Sequence, residues 1–142
     1  MENIRIFALC LAIFMVLPMM FSCGSAKKGE PNTFTNVTVT SYYDPEATTT
    51  NAASDFEDEL FSGEVIVYAE AGTSIKLKDV IIAYCEDKNV DYYFDSAKNM
   101  FTKINGISKN DNYFWNYAVN GKDAGLADIV TPEDSIEISF TK

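Results

Sequence analysis

The chain has 142 residues, with 11 Lys plus Arg against 21 Asp plus Glu, a formal net charge of -10 and no histidine. That balance excludes a nucleic-acid partner, because recognition of a phosphate backbone depends on clustered Lys and Arg. The lack of histidine removes the commonest general base at neutral pH and the commonest zinc ligand.

The first 22 residues read as an export signal. Glu2 and Arg5 cancel, so only the amino terminus gives the leader positive charge. Ile6 to Phe21 is apolar throughout. It is shorter than the roughly 20 residues that span a bilayer, and it starts almost at the terminus, as an h-region does. Small Ser22 then precedes Cys23 and small Gly24 follows it. This junction resembles a bacterial lipobox, and no A-x-A-like cleavage site competes with it. The resemblance implies cleavage before Cys23 and diacylglyceryl transfer to its thiol. Two acyl chains hold a protein to a membrane where one is marginal. The expectation is an extracytoplasmic, lipid-anchored protein whose first partner is the membrane; plain secretion and an uncleaved anchor helix are the alternatives.

Residues 23–33 follow as a polar tether with Gly, Ser and Pro. From Phe34 to Tyr43 β-branched and aromatic residues dominate, with Val37 and Val39 on one face and Thr38, Thr40 and Tyr42 on the other, which predicts a strand. Asp44 to Gly63 lacks a clear period and reads as a loop with a helical turn over Asp55 to Phe61. Its acidic run (Asp55, Glu57, Asp58, Glu59) lacks the alternation of a calcium loop and reads as a solvated surface. Glu64 to Glu70 predicts a second strand, broken by Gly72. Leu77, Val80, Ile81, Tyr84 and Cys85 then recur at helical spacing and form one apolar stripe. Thr73 or Ser74 is the expected N-cap and Asn89 the C-cap. Cys85 is expected to be a core thiol, and with Cys10 in the leader and Cys23 acylated no internal disulfide is available.

Further on, Phe101 to Ile104 predicts a short strand and Asn105-Gly106 a turn. Trp115, Tyr117 and Val119 share one strand parity, which assigns them to the core or its margin. Asn120-Gly121 suits a two-residue hairpin turn, with Lys122 to Ala124 returning. Pro132-Glu133-Asp134 makes a turn, and Ile136, Ile138 and Phe140 alternate with polar residues in a half-buried final strand. Strand, strand, helix and several short strands amount to an α+β chain: a β-grasp-like mixed sheet with one packed helix, over residues 34–142.

Four segments carry a family resemblance. They are "AGTSIKLKDVI" (71–81), "FTKINGI" (101–107), "FWNYAVNGK" (114–122) and "TPEDSIEISF" (131–140). In this order they resemble the C-terminal-like domain of transcobalamin and intrinsic factor, in the form carried by bacterial surface lipoproteins, where its function is unassigned. In transcobalamin that domain caps cobalamin against a separate α-helical barrel, and no such barrel is present in this sequence.

Catalysis is not expected, because no G-x-S-x-G elbow, H-E-x-x-H helix or phosphate loop appears. No cofactor is expected either. Adjacent aromatics suggest a binding or adhesion module instead. Tyr92, Tyr93 and Phe94 cannot all face inward on an extended chain, nor can Tyr113, Phe114 and Trp115. These six are the candidate ligand contacts, for a glycan, a protein or a corrinoid. A spacer domain of the envelope is the alternative, as is a corrinoid binder.

Overall fold

Thr and Val alternation gives the chain its first strand, and that strand is longer than its pattern suggests. In the computed structural model, which describes residues 29–44 and 56–142, β1 runs Glu30–Ser41 and β2 runs Asp58–Ala69. They pair antiparallel from Glu30↔Ala69 to Ser41↔Asp58. Two expectations are corrected here. Residues 30–33, assigned to the tether, belong to the sheet. Asp58 to Phe61, assigned to a helical turn, is strand. The cause is the same in both cases: a partner strand offers every backbone N–H and C=O a hydrogen bond, and that outweighs weak local preference. The leader, Cys23 and segment 45–55 lie outside the described residues.

The helix α1 (Leu77–Lys88) buries the predicted stripe of Leu77, Val80, Ile81, Tyr84 and Cys85. Burying each large apolar side chain stabilises by about 1.5–3 kcal/mol. Its N-cap is Lys76, not Thr73 or Ser74. The Asp79 carboxylate accepts the Lys76 backbone N–H (2.9 Å), so the third helical residue satisfies the entry from inside the first turn. Asn89 ends the helix in the left-handed region (φ 53°), as expected.

After the helix come β3 (Tyr92–Asp95), β4 (Met100–Ile104) and β5 (Ile107–Ser108), which form a small antiparallel sheet in the order β3-β4-β5. The strand β3 has no alternating pattern to announce it; Tyr92 and Phe94 pack on Phe101 of β4, at ring separations of 6.1 and 4.9 Å. Next are β6 (Phe114–Val119), β7 (Lys122–Asp123) and β8 (Ile136–Thr141). The main sheet has the order β2-β1-β8-β6-β7. The pair β1–β8 is parallel and its other pairs are antiparallel, so the sheet is mixed. One face of it, with Phe34, Val37, Val39, Val65, Ile136, Ile138 and Phe140, packs into the core with the helix stripe. This is the β-grasp-like α+β architecture.

Two turns read separately in the sequence are one unit in space. Asn120 (φ 54°) and Gly121 (φ 72°) make the two-residue reversal between β6 and β7. The Asn120 side chain also donates from Nδ2 to Asp134 Oδ1 (2.7 Å) and accepts the Ser135 N–H at Oδ1 (2.9 Å). The same Asp134 accepts the Thr131 N–H (2.7 Å) at its other oxygen. The Thr131 N–H first, and then the Asn120 amide, hold the Asp134 carboxyl below its ordinary value. A depressed carboxyl contributes stability above its unfolded-state pKa, and that contribution is lost as pH falls through the folded value.

Nothing crowds Gly121, so its positive φ is what restricts substitution. Gly121→Val is expected to destabilise the domain by about 1–3 kcal/mol, whereas exposed Lys122→Ala leaves it unchanged. Denaturant unfolding followed by Trp115 fluorescence checks both, and equal midpoints would place the hairpin elsewhere. Asn120→Gly keeps the turn and loses the clasp to Asp134. Its deficit relative to the parent should shrink as the medium is made acid; a deficit constant with pH would mean the clasp is not ionic.

Candidate functional site

Two clefts flank α1. The first lies between the helix and β2, the edge strand of the main sheet. It has a volume of about 590 Å³. Val67 and Ala69 of β2, Ile75 of the connecting segment, and Ile82 and Ala83 of α1 supply its apolar lining, with exposed Ile66 and Tyr68, on the strand's other face, at its rim. Glu70, Asp79 and Glu86 stand around it as carboxylates, with the hydroxyls of Thr73 and Ser74 between them. An apolar floor with a few convergent polar groups is the usual make-up of a small-molecule site. The helix period explains the lining: Asp79, Ile82, Ala83 and Glu86 are i, i+3, i+4 and i+7, one stripe beside the buried one.

The second cleft, of about 520 Å³, lies on the other side of the helix C-terminus, where Phe61, Tyr84, Lys88 and Asn105 converge. Tyr84 is buried, and its hydroxyl donates to Asn105 Oδ1 (2.9 Å). Burial pushes that hydroxyl above its ordinary value, with the Asn105 bond acting the other way. The Phe61 ring packs on Tyr84 at 4.7 Å and carries the Lys88 ammonium over its face at 5.6 Å. Its polar groups largely satisfy one another, which leaves less for a ligand than the first cleft offers.

The six aromatic candidates do not form one surface. Tyr92 and Phe94 pack on Phe101, and Tyr113 stacks on Phe140 (5.8 Å) and meets Tyr43 edge-on (5.1 Å). Trp115 is buried against Phe140, and its indole N–H donates to the Ile107 carbonyl (3.2 Å). Its place is the core, which its shared parity with Val119 indicated. The rings left exposed are Tyr93 (60%) and Phe114 (46%), one from each cluster. Tyr93 belongs to the small sheet and Phe114 to the main one. None of the residues of the first cleft is among the six that the sequence marked as ligand contacts. The second helix stripe was the only signal available, and it carries too few apolar residues to stand out.

Among the described residues no group of three or more His, Cys, Asp or Glu converges as metal ligands would. Cys85 is buried, and that burial first, with the nearby Glu86 carboxylate second, pushes its thiol up to about 12.

Residues 75–142 match a family model described as "Domain of unknown function (DUF4430)". No curated protein sequence matches the chain. Among solved structures, one similar chain is that of the crystal structure of haptocorrin in complex with Cbi. The similarity has a TM-score of 0.53 at 13% sequence identity and covers 85% of this chain. The chain spans 28% of the haptocorrin chain, a little over a quarter of its length. At this identity the likeness is one of fold, and it bears out the resemblance to the transcobalamin and intrinsic factor C-terminal-like domain.

The state of Cys85 gives a direct test of the helix face. Buried Cys85, with its thiol pushed well up, should react with a thiol reagent at pH 8 far more slowly than a free cysteine, because the reagent must reach it and only the thiolate attacks. Labelling of the native protein at the free-thiol rate would show that the stripe does not face the core.

Proposed function

We propose that the chain is a non-catalytic ligand-binding domain, presented outside the cytoplasm on a lipid attached to Cys23, and that its cleft beside α1 takes a corrinoid. The observation that carries the reading is the make-up of that cleft. A corrin ring has apolar faces and a rim of carboxamides whose N–H groups are donors. Val67, Ile75, Ile82 and Ala83 suit the faces; Glu70, Asp79, Glu86 and the Thr73 and Ser74 hydroxyls suit the rim. The fold likeness to haptocorrin in complex with Cbi supports the choice of ligand class. The cleft is open on one side, so the domain supplies one wall of the site and leaves the opposite face of the ligand to a partner or to solvent.

The anchor follows from the same chain. Lipidated Cys23 keeps the cleft at the envelope, where a scarce small molecule is first met. Cys23→Ser is expected to move the protein from the membrane fraction to the soluble one and to lower its mass by the acyl groups. Retention in the membrane at unchanged mass would refute lipidation there.

Titration of the detergent-solubilised chain with cobinamide tests the ligand. Saturable binding is expected, and Ser74→Trp, which fills the cleft from an exposed position, should weaken it by about tenfold or more, equivalent to about 1.4 kcal/mol. Absence of saturable binding, or full affinity in Ser74→Trp, would leave an envelope spacer as the better account.

A further inference from the structure

Five residues in a row, Ile66 to Glu70, line the first cleft. Side chains of a strand alternate between its two faces, so consecutive residues share one wall only along the strand's edge, where the backbone itself is presented. The strand is β2, the edge of the main sheet, with β1 on one side and no strand on the other among the described residues. The Val67 carbonyl points toward β1, where it accepts from Asn32 Nδ2 (3.4 Å). Successive residues of a strand turn their backbone groups to opposite sides, so the N–H and C=O of Ile66 point away from β1, along the open side of the cleft.

The outer face of this edge has a simple order. Glu64, Ile66, Tyr68 and Glu70 share one parity, and all four are exposed. Two apolar side chains are thus bracketed by carboxylates. From Asp58 to Glu70 there is no Lys or Arg, and the other charges, Asp58 and Glu59, are also negative. That order decides which strand can add. Antiparallel pairing with β2 of a second copy, centred on Val67, sets Ile66 opposite Tyr68 but Glu64 opposite Glu70, and like charges directly opposite destabilise a sheet. Moving the centre by one residue either way sets Glu64 opposite Tyr68, or Glu70 opposite Ile66, a carboxylate against an apolar side chain. The edge is therefore guarded against its own copy.

We propose that the edge of β2 receives an extended segment of a partner protein with the order cation, apolar, apolar, cation at alternate residues. The segment adds to the main sheet as a strand and closes the open side of the cleft. The backbone of Ile66 supplies main-chain hydrogen bonds, and the alternate side chains supply the choice of partner. Each cation then faces Glu64 or Glu70 and each apolar side chain faces Ile66 or Tyr68, all favourable cross-strand pairs. The chain's charge of -10 draws a basic segment in the same sense. The pairing uses the backbone and outer face of β2, so it stands with or without a corrinoid, and its test is run without cobinamide.

The probe is a short, end-blocked, dye-labelled peptide with lysine at both ends, two valines at the alternate places between them and threonine elsewhere. Its anisotropy is followed as the full detergent-solubilised chain is added. Saturable binding is expected, weakened about tenfold or more when glutamate replaces both lysines, and lost when both valines are N-methylated, since those amides face Ile66. The double variant Glu64→Lys with Glu70→Lys should reverse the preference between the lysine and glutamate peptides. Ile66→Pro removes the outward N–H and keeps the ladder to β1, so it should abolish binding at an unchanged unfolding midpoint. No saturable binding of the lysine peptide, parent-like affinity for its N-methylated form, or an unreversed preference in the double variant would each overturn the proposal. A dimer of the parent in sedimentation that Ile66→Pro dissolves would also overturn it, by giving the edge to a second copy.

Discussion

Val37, Val39 and Ser41 of the first strand lie beside Ile136, Ile138 and Phe140 of the last, and on this parallel ladder the rest of the domain depends. It joins residues about a hundred positions apart, as the side-chain bond from Asn36 to Ser135 does at a separation of 99. Closing a loop of that length costs about 4 kcal/mol of chain entropy beyond a constant term. The return is a central pair of strands with the core on one face, onto which β2 adds from one side and β6 from the other. With β2 fixed as the edge strand, α1 can pack across the sheet and leave a cleft beside it. With β8 fixed between β1 and β6, Tyr42 and Phe114 fall in one row.

What was legible in the sequence is what local geometry decides. The helix stripe of Leu77, Val80, Ile81, Tyr84 and Cys85 is set by a 3.6-residue period, and the hairpin at Asn120-Gly121 by positive φ; both came out as read. The final strand followed from the alternation of Ile136, Ile138 and Phe140. What was not legible is what distant partners decide. Asp58 to Phe61 is strand because Thr40 and Val39 lie opposite, and nothing in "DELF" says so. Tyr92 to Asp95 is strand because Phe101 receives two of its rings. The candidate cleft was invisible for the same reason: Val67 and Ile82 come to line one cleft only after the helix has packed on the sheet. Aromatic adjacency did mark where rings must reach the surface, and Tyr93 and Phe114 do, yet it could not show that the other four would turn inward to Phe101 and Phe140.

Two features divide the molecule along β1. One end carries Gly29, and Ala69 of the cleft lies beside it. The other carries the exposed rings of Tyr42 and Phe114. The acidic surface fits both roles in the proposed reading: it keeps the domain soluble beside anionic headgroups, and around the cleft it gathers acceptors for a donor-rich ligand. In the proposed reading the open cleft beside α1 is one wall of a site, and affinity is expected to be modest until the other wall is supplied.

Amide hydrogen exchange of the solubilised chain, with and without saturating cobinamide, tests the central claim most directly, since it maps where a ligand sits without altering a residue. The account predicts added protection in residues 66–75 and 79–86, the two sides of the cleft, with the tip at Tyr42 and Phe114 unchanged. Protection confined to any other part of the sheet, or none at all at saturation, would contradict it.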